Sequence, residues 1–155
     1  MNLYLVQHAE AKRDTEYPRR PFSEGGYAEI EKTAKWLATK LRPSINVIFH
    51  SGKLRAQQTA EVLADYLNPP GGIKPADSLE PNADPAVWAE QLVSMSENVM
   101  LVGHLPHLSK LTSRLLCGDE SRSIVEFHNA GVVCMSRDQE NQWVIRWILV
   151  PGLCE

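Results

Sequence analysis

Short apolar runs alternate along this chain with longer segments whose apolar residues recur every three or four positions, and few folds accept that order. Leu3-Tyr4-Leu5-Val6, Ile45-Asn46-Val47-Ile48-Phe49 and Val99-Met100-Leu101-Val102 are of strand type. The stretch 23–42 carries Ile30, Ala34, Leu37 and Leu41 on one helical face, and Pro43 ends it. The stretch 51–67 carries a stripe of Ala56, Thr59, Ala60, Leu63 and Leu67, with Ser51 as its expected N-cap. Asn68-Pro69-Pro70-Gly71-Gly72 reads as a turn. Asp84-Pro85 supplies a cap and first-turn pair for a third helix running through Val87, Trp88, Leu92 and Met95. A fourth helix is predicted over 106–117, stopped by Gly118. Two last strands, 131–136 and 142–150, flank Arg137-Asp138-Gln139-Glu140-Asn141 as a hairpin, and Trp143-Val144-Ile145-Arg146-Trp147 alternates like a half-buried core strand. The front order β-α-β-α-α-β-α implies an α/β fold. The expectation is a three-layer α/β/α sandwich, with a mainly parallel central sheet and an antiparallel strand near the C-terminal end. No repeat or linker divides the 155 residues, so a single domain over 1–155 is expected.

Composition removes several functional classes. Apolar residues make up 43% and charged residues 23%, a globular balance. Sixteen basic against nineteen acidic residues give a net charge of −3, a poor footprint for nucleic acid. No apolar run approaches the ~20 residues of a membrane span. The opening MNLYLVQH has no basic n-region or cleavage site, so no secretory leader is expected. Cys117, Cys134 and Cys154 are odd in number and far apart, which points to reduced thiols in a cytoplasm.

All three front strands run into a histidine: Leu-Val-Gln-His8, Val-Ile-Phe-His50 and Leu-Val-Gly-His104. Ligands of parallel α/β sheets bind at the carboxyl ends of strands, so up to three imidazoles could meet on one rim. After the second strand, Ser51-Gly52-Lys53-Leu54-Arg55 opens a helix. Helix N-termini attract anions, and Arg55, about one turn inside, could grip phosphate oxygens with its fork. Together these features suggest a phosphate pocket. His104-Leu105-Pro106-His107 has metal-like spacing but no accompanying Cys or carboxylate, and no metal site is expected. No Gly-x-Ser-x-Gly elbow, P-loop or Gly-x-Gly-x-x-Gly occurs.

At these residues the chain resembles the histidine phosphatase superfamily, the phosphoglycerate-mutase-like fold, and most of all its small SixA-type phosphohistidine phosphatases. Gln7-His8-Ala9 stands where that family has Arg-His-Gly. Arg20-Pro21-Phe22-Ser23 resembles its Arg-Pro-Leu-Thr, Ser51-Gly52-Lys53-Leu54-Arg55-Ala56-Gln57-Gln58-Thr59-Ala60 its Ser-Pro-x-x-Arg-Ala-x-Gln-Thr-Ala, and Gly103-His104-Leu105-Pro106 its late Gly-His-x-Pro. The resemblance implies a metal-independent phosphatase needing no cofactor. His8 would take the phosphoryl group as phosphohistidine, Arg55 and His104 would stabilise it, and Arg20 would be a further phosphate ligand. The implied partner is a phosphorylated protein carrying phosphohistidine, or a small phosphorylated substrate, with no nucleic acid and no membrane.

Two positions depart from the pattern or leave it open. Gln7 replaces the family's arginine, keeping hydrogen-bond donors but losing the charge and fork, so a weakened pocket or an inactive phosphate-binding relative is an alternative. Lys53 could restore some charge. The general acid is open between Glu80 and Asp84, of which Asp84 fits a helix cap and Glu80 remains the candidate acid. A small-metabolite phosphomonoesterase using Glu80 is the other alternative; the chain is short for a mutase.

Overall fold

The structure is a computed structural model that describes residues 1–15 and 17–155. Strand β1 (Asn2–Gln7) buries Leu3 to Val6 completely or nearly so, as a strand with helices on both faces must. The side-chain alternation within that run divides the core. Tyr4 and Val6 face a cluster with Ile30, Ala34, Ala56, Ala60 and Leu63, from α1 (Glu24–Trp36) and α2 (Leu54–Leu67). Leu3 and Leu5 face the opposite cluster with Trp88, Leu92, Leu108 and Leu111, from α3 (Pro85–Ser94) and α4 (His107–Cys117). One period-two run thus sets up the three layers.

The sheet also contains β2 (Val47–His50), β3 (Ile73–Pro75), β4 (Val99–Gly103), β5 (Val132–Arg137) and β6 (Trp143–Leu149). Its order is β3-β2-β4-β1-β5-β6. The four strands β3, β2, β4 and β1 are mutually parallel, while β5 runs against both β1 and β6. The mainly parallel sheet with an antiparallel strand towards the C-terminal end is as expected. The short strand β3 was not: it is three residues long and directly follows the Pro/Gly turn, too little to show a period.

Helix ends mostly follow their signals. Ser23 caps α1 by accepting from the Gly26 N–H, Asp84 caps α3 by accepting from the Ala86 N–H, and Gly118 closes α4 in the left-handed region. Beyond Trp36 the first helix widens into a π-helical turn, Leu37–Leu41, and leaves it at a left-handed Arg42 before Pro43. Two expectations need correction. The second helix begins at Leu54 with Lys53 as N-cap, not at Ser51, because the Ser51 hydroxyl bonds elsewhere. Strand β6 is not a core strand. It is the sheet edge, and a register shift opposite Cys134 and Met135 leaves Arg146 unpaired and breaks the alternation. Val144 and Ile145 are consequently exposed, and Trp143, Trp147 and Leu149 carry the contact with the core.

Candidate active site

The three strand ends lie side by side because the register makes them do so. Gln7 is the partner of Gly103 across β1 and β4, and His50 is the partner of Val102 across β2 and β4. The next residues are His8 and His104, and the His8 N–H extends the ladder by donating to the Gly103 carbonyl at 3.1 Å. The two imidazoles meet with ring centroids 4.9 Å apart, tilted by 50°. The third imidazole does not join them as a free group. His50 is buried, and its Nδ1 accepts the Gly52 N–H at 3.1 Å, closing the turn before α2.

His8 is held in a defined state. Its ring Nδ1 lies 2.7 Å from the Ala9 carbonyl, which can only accept, so Nδ1 carries the proton and Nε2 keeps its lone pair. Burial lowers the imidazole to a pKa of about 4; the Ala9 hydrogen bond works against this, and the cations Arg55 and Arg20 add to it. The Asn129 amide donates to the His8 carbonyl at 2.8 Å, fixing the backbone from the far side.

The α2 motif gains a physical account. Ala56 and Ala60 are fully buried, small enough for the helix to lie close against the sheet. The Thr59 hydroxyl accepts from the Ala9 N–H at 3.0 Å and donates to the Arg55 carbonyl at 2.7 Å, tying the residue after His8 to the turn that carries Arg55. Gln58 accepts from the Phe22 N–H at 2.8 Å and so holds the Arg20-Pro21-Phe22 segment. Arg20 sits in the left-handed region, at φ 49°, with its Nε donating to the Lys12 carbonyl at 3.1 Å. Of these anchors, Thr59 had been read as part of an apolar stripe and, with Gln58, as part of the family motif, without a role for either side chain, and Asn129 had carried no role. A polar side chain on the buried stripe was a signal for Thr59; Asn129 had none.

Arg55 and Arg20 lower His8; burial above all lowers His104 to about 3, with His8, Arg55, Lys53 and His107 adding to it. Arg55 is itself lowered by burial and by Arg20. Among the described residues the ion pairs are Arg114–Glu120 and Arg122–Asp119, remote in sequence from this rim. Buried polar atoms without a partner gather here too: Gln7 Oε1, Arg55 Nε and His104 Nδ1. An unpaired buried donor such as Arg55 Nε is costly unless an acceptor completes it, as an anion would, whereas Gln7 Oε1 is itself an acceptor and calls for a donor. Two neutral imidazoles beside the Arg55 and Arg20 guanidinium groups, neither of which is in an ion pair among the described residues, make an arrangement suited to a tetrahedral oxyanion.

Glu80 is half-buried in the loop after β3, and Asp84 caps α3. Both raise the pKa of His107, which burial lowers more strongly; neither is among the charges acting on His8. His107 is fully buried, with both ring nitrogens unpartnered. Among the described residues no three His, Cys, Asp or Glu side chains gather as a metal-ligand set. No described helix is long and apolar enough to cross a membrane.

No family model matches the chain. It is 25% identical over 156 residues to the phosphohistidine phosphatase SixA of Escherichia coli strain K12, a match that covers 97% of this chain and 94% of that protein. A solved structure of the protein histidine phosphatase SixA complexed with tungstate superposes with a TM-score of 0.88 at 24% identity, covering 100% of both chains. A mycobacterial glucosyl-3-phosphoglycerate phosphatase, solved in complex with VO3, gives a TM-score of 0.73 at 15% identity and covers 94% of this chain and 97% of that one.

Proposed function

On the premise that this chain is a homologue of the SixA phosphohistidine phosphatase, with structural neighbours in the histidine phosphatase superfamily, we propose that it is a metal-independent phosphatase whose preferred substrate is phosphohistidine on a protein. The observation that carries this reading is the state of His8. Its Nδ1–H is committed to the Ala9 carbonyl, and Nε2 is left with a lone pair beside His104, within the field of Arg55 and Arg20.

In this reading His8 Nε2 attacks phosphorus, a new N–P bond forms, and the N–P bond of the substrate breaks. The departing imidazole of the substrate takes up a proton from solvent water. Water then attacks the phospho-His8, releasing inorganic phosphate and restoring the neutral ring. Arg55, Arg20 and His104 donate to the equatorial oxygens, where charge is greatest in the transition state. Gln7 adds amide donors at the same rim in place of a charged fork. An imidazole leaving group needs less acid assistance than an alkoxide, which suits a pocket where the charges shifting His8 are those of Arg55 and Arg20. The free thiols of Cys117, Cys134 and Cys154 fit a reducing compartment, and we place the protein in the cytoplasm.

A second reading, a small-metabolite phosphomonoesterase, is favoured by one observation: Glu80 lies half-buried in the loop after β3, next to the strand ends, where it could serve as acid. Parallel assays on a phosphohistidine peptide and on a panel of sugar and nucleotide monoesters separate the two. Preference for the peptide, insensitive to Glu80→Gln, supports the main reading. Preference for a monoester, lost in Glu80→Gln, overturns it. Vanadate binding without turnover of any substrate would instead assign a phosphate-binding module.

A further inference from the structure

His104 has two ring nitrogens and one partner. Nε2 lies 2.6 Å from the Ser51 hydroxyl, while Nδ1 is buried and unpartnered. Such a pair can be written with the proton on either side, and the surroundings decide between them. The Lys53 backbone N–H also approaches the Ser51 oxygen, at 3.4 Å. If Nε2 donated as well, that oxygen would receive two donors while its own proton would have no acceptor among the described residues. His104 Nδ1 would then be a buried lone pair with no donor to meet it among the described residues. With Ser51 donating, both problems disappear, because the hydroxyl proton is used and Nδ1 carries a hydrogen.

We infer that Ser51 is a positioning residue: its hydroxyl donates to His104 Nε2 and fixes neutral His104 as the Nδ1–H tautomer, so that Nδ1 can donate to a phosphoryl oxygen. The positioning role rests on the phosphatase reading above. It resolves a difficulty in that reading. Burial and the nearby cations keep His104 uncharged at neutral pH, and a neutral imidazole has only one N–H to offer. A ring free to choose its tautomer would spend part of its time repelling the substrate.

The local backbone is built for this bond. Gly52 has φ +86°, a left-handed conformation that lets the chain turn sharply after β2, and the Gly52 N–H closes that turn on His50 Nδ1. Ser51 is thereby carried towards the end of β4 and is not spent as a cap. That is why α2 starts at Leu54, with a lysine as N-cap that makes no side-chain capping bond. Two strand ends, β2 through Ser51 and β4 through His104, are joined at their tips by this hydrogen bond.

The test is the tautomer itself, read by long-range proton–nitrogen NMR of 15N-histidine-labelled protein at neutral pH, without substrate, in wild type, Ser51→Ala and Ser51→Thr. The expected result is an Nδ1–H ring at His104 in wild type and in Ser51→Thr, and a shift towards Nε2–H in Ser51→Ala. The kcat on a phosphohistidine peptide should fall about 10-fold or more in Ser51→Ala, short of the ~10²–10³ that losing a donor outright costs, and return in Ser51→Thr. An Nε2–H ring in wild type, or the same tautomer in all three proteins, overturns the inference whatever the activity. A tautomer that moves as expected in a protein inert towards every phosphorylated substrate overturns the phosphatase reading, and the positioning role with it.

Discussion

Acid should unfold this protein earlier than its carboxylates alone would require, because the fold refuses protons to its site histidines. Burial holds His8 at about 4 and His104 at about 3, against an ordinary value of about 6.5 in the unfolded chain. Below that unfolded value the unfolded chain binds protons that the folded one does not. Stability therefore falls as pH drops from about 6.5 towards the folded values, and is fully present above the window. Each refused proton costs about 1.4 kcal/mol per pH unit. At pH 5.0 this is about 2 kcal/mol for each ring and about 4 kcal/mol for the pair, a large share of a typical 5–15 kcal/mol. His50 and His107, also lowered by burial, act in the same direction. Urea unfolding followed by circular dichroism between pH 7.5 and 5.0 measures the effect. The slope of unfolding free energy against pH should steepen through the window and approach about two protons taken up on unfolding from these rings near pH 5.0, and His104→Asn should remove about one of them. A flat free energy across the window, or an undiminished slope in His104→Asn, would refute the reasoning.

Three further outcomes follow from the same geometry. Gln7→Arg should raise kcat/KM by about 10–100-fold, since a charge-assisted hydrogen bond contributes roughly 1.5–3 kcal/mol and ~1.4 kcal/mol is a factor of ten; steady-state kinetics check this, and no gain in a folded variant would show that the pocket does not lack that charge. Gly26→Ala should be strongly destabilising, because a Cβ there would lie 2.1 Å from the Glu10 carbonyl oxygen, a backbone atom that cannot step aside without moving the loop after His8; a thermal midpoint unchanged from wild type would contradict this. Asn129→Ala should leave the His8 carbonyl without its side-chain donor and cost about 1–3 kcal/mol in denaturant unfolding, with activity falling alongside; equal stability would remove Asn129 from its anchoring role.

The parallel part of the sheet was legible in the sequence because β1, β2 and β4 are short apolar runs that each lead into a histidine at the exit from the core. Those exits also pointed to His8 and His104, since the strands that carry them pair in register. Other features were not legible, each for its own reason. Ser51 has the chemistry of a cap, and only the proximity of β4 shows that its hydroxyl has a better partner. Strand β3 is too short for periodicity to register. Strand β6 has the alternation of a core strand, but a bulge resets its faces and nothing in the sequence places it at the edge. Thr59, Gln58 and Asn129 act through backbone groups of segments far away in the chain, contacts that composition and spacing do not encode.

The central claim is that one imidazole, at position 8, accepts the phosphoryl group. Intact-mass measurement after rapid acid-free quench of the enzyme with a phosphohistidine peptide tests it most directly. The account expects a transient gain of one phosphoryl group on wild type, localised to His8, and none on His8→Ala. Equal labelling of both proteins, or turnover by His8→Ala at the wild-type rate, would contradict it.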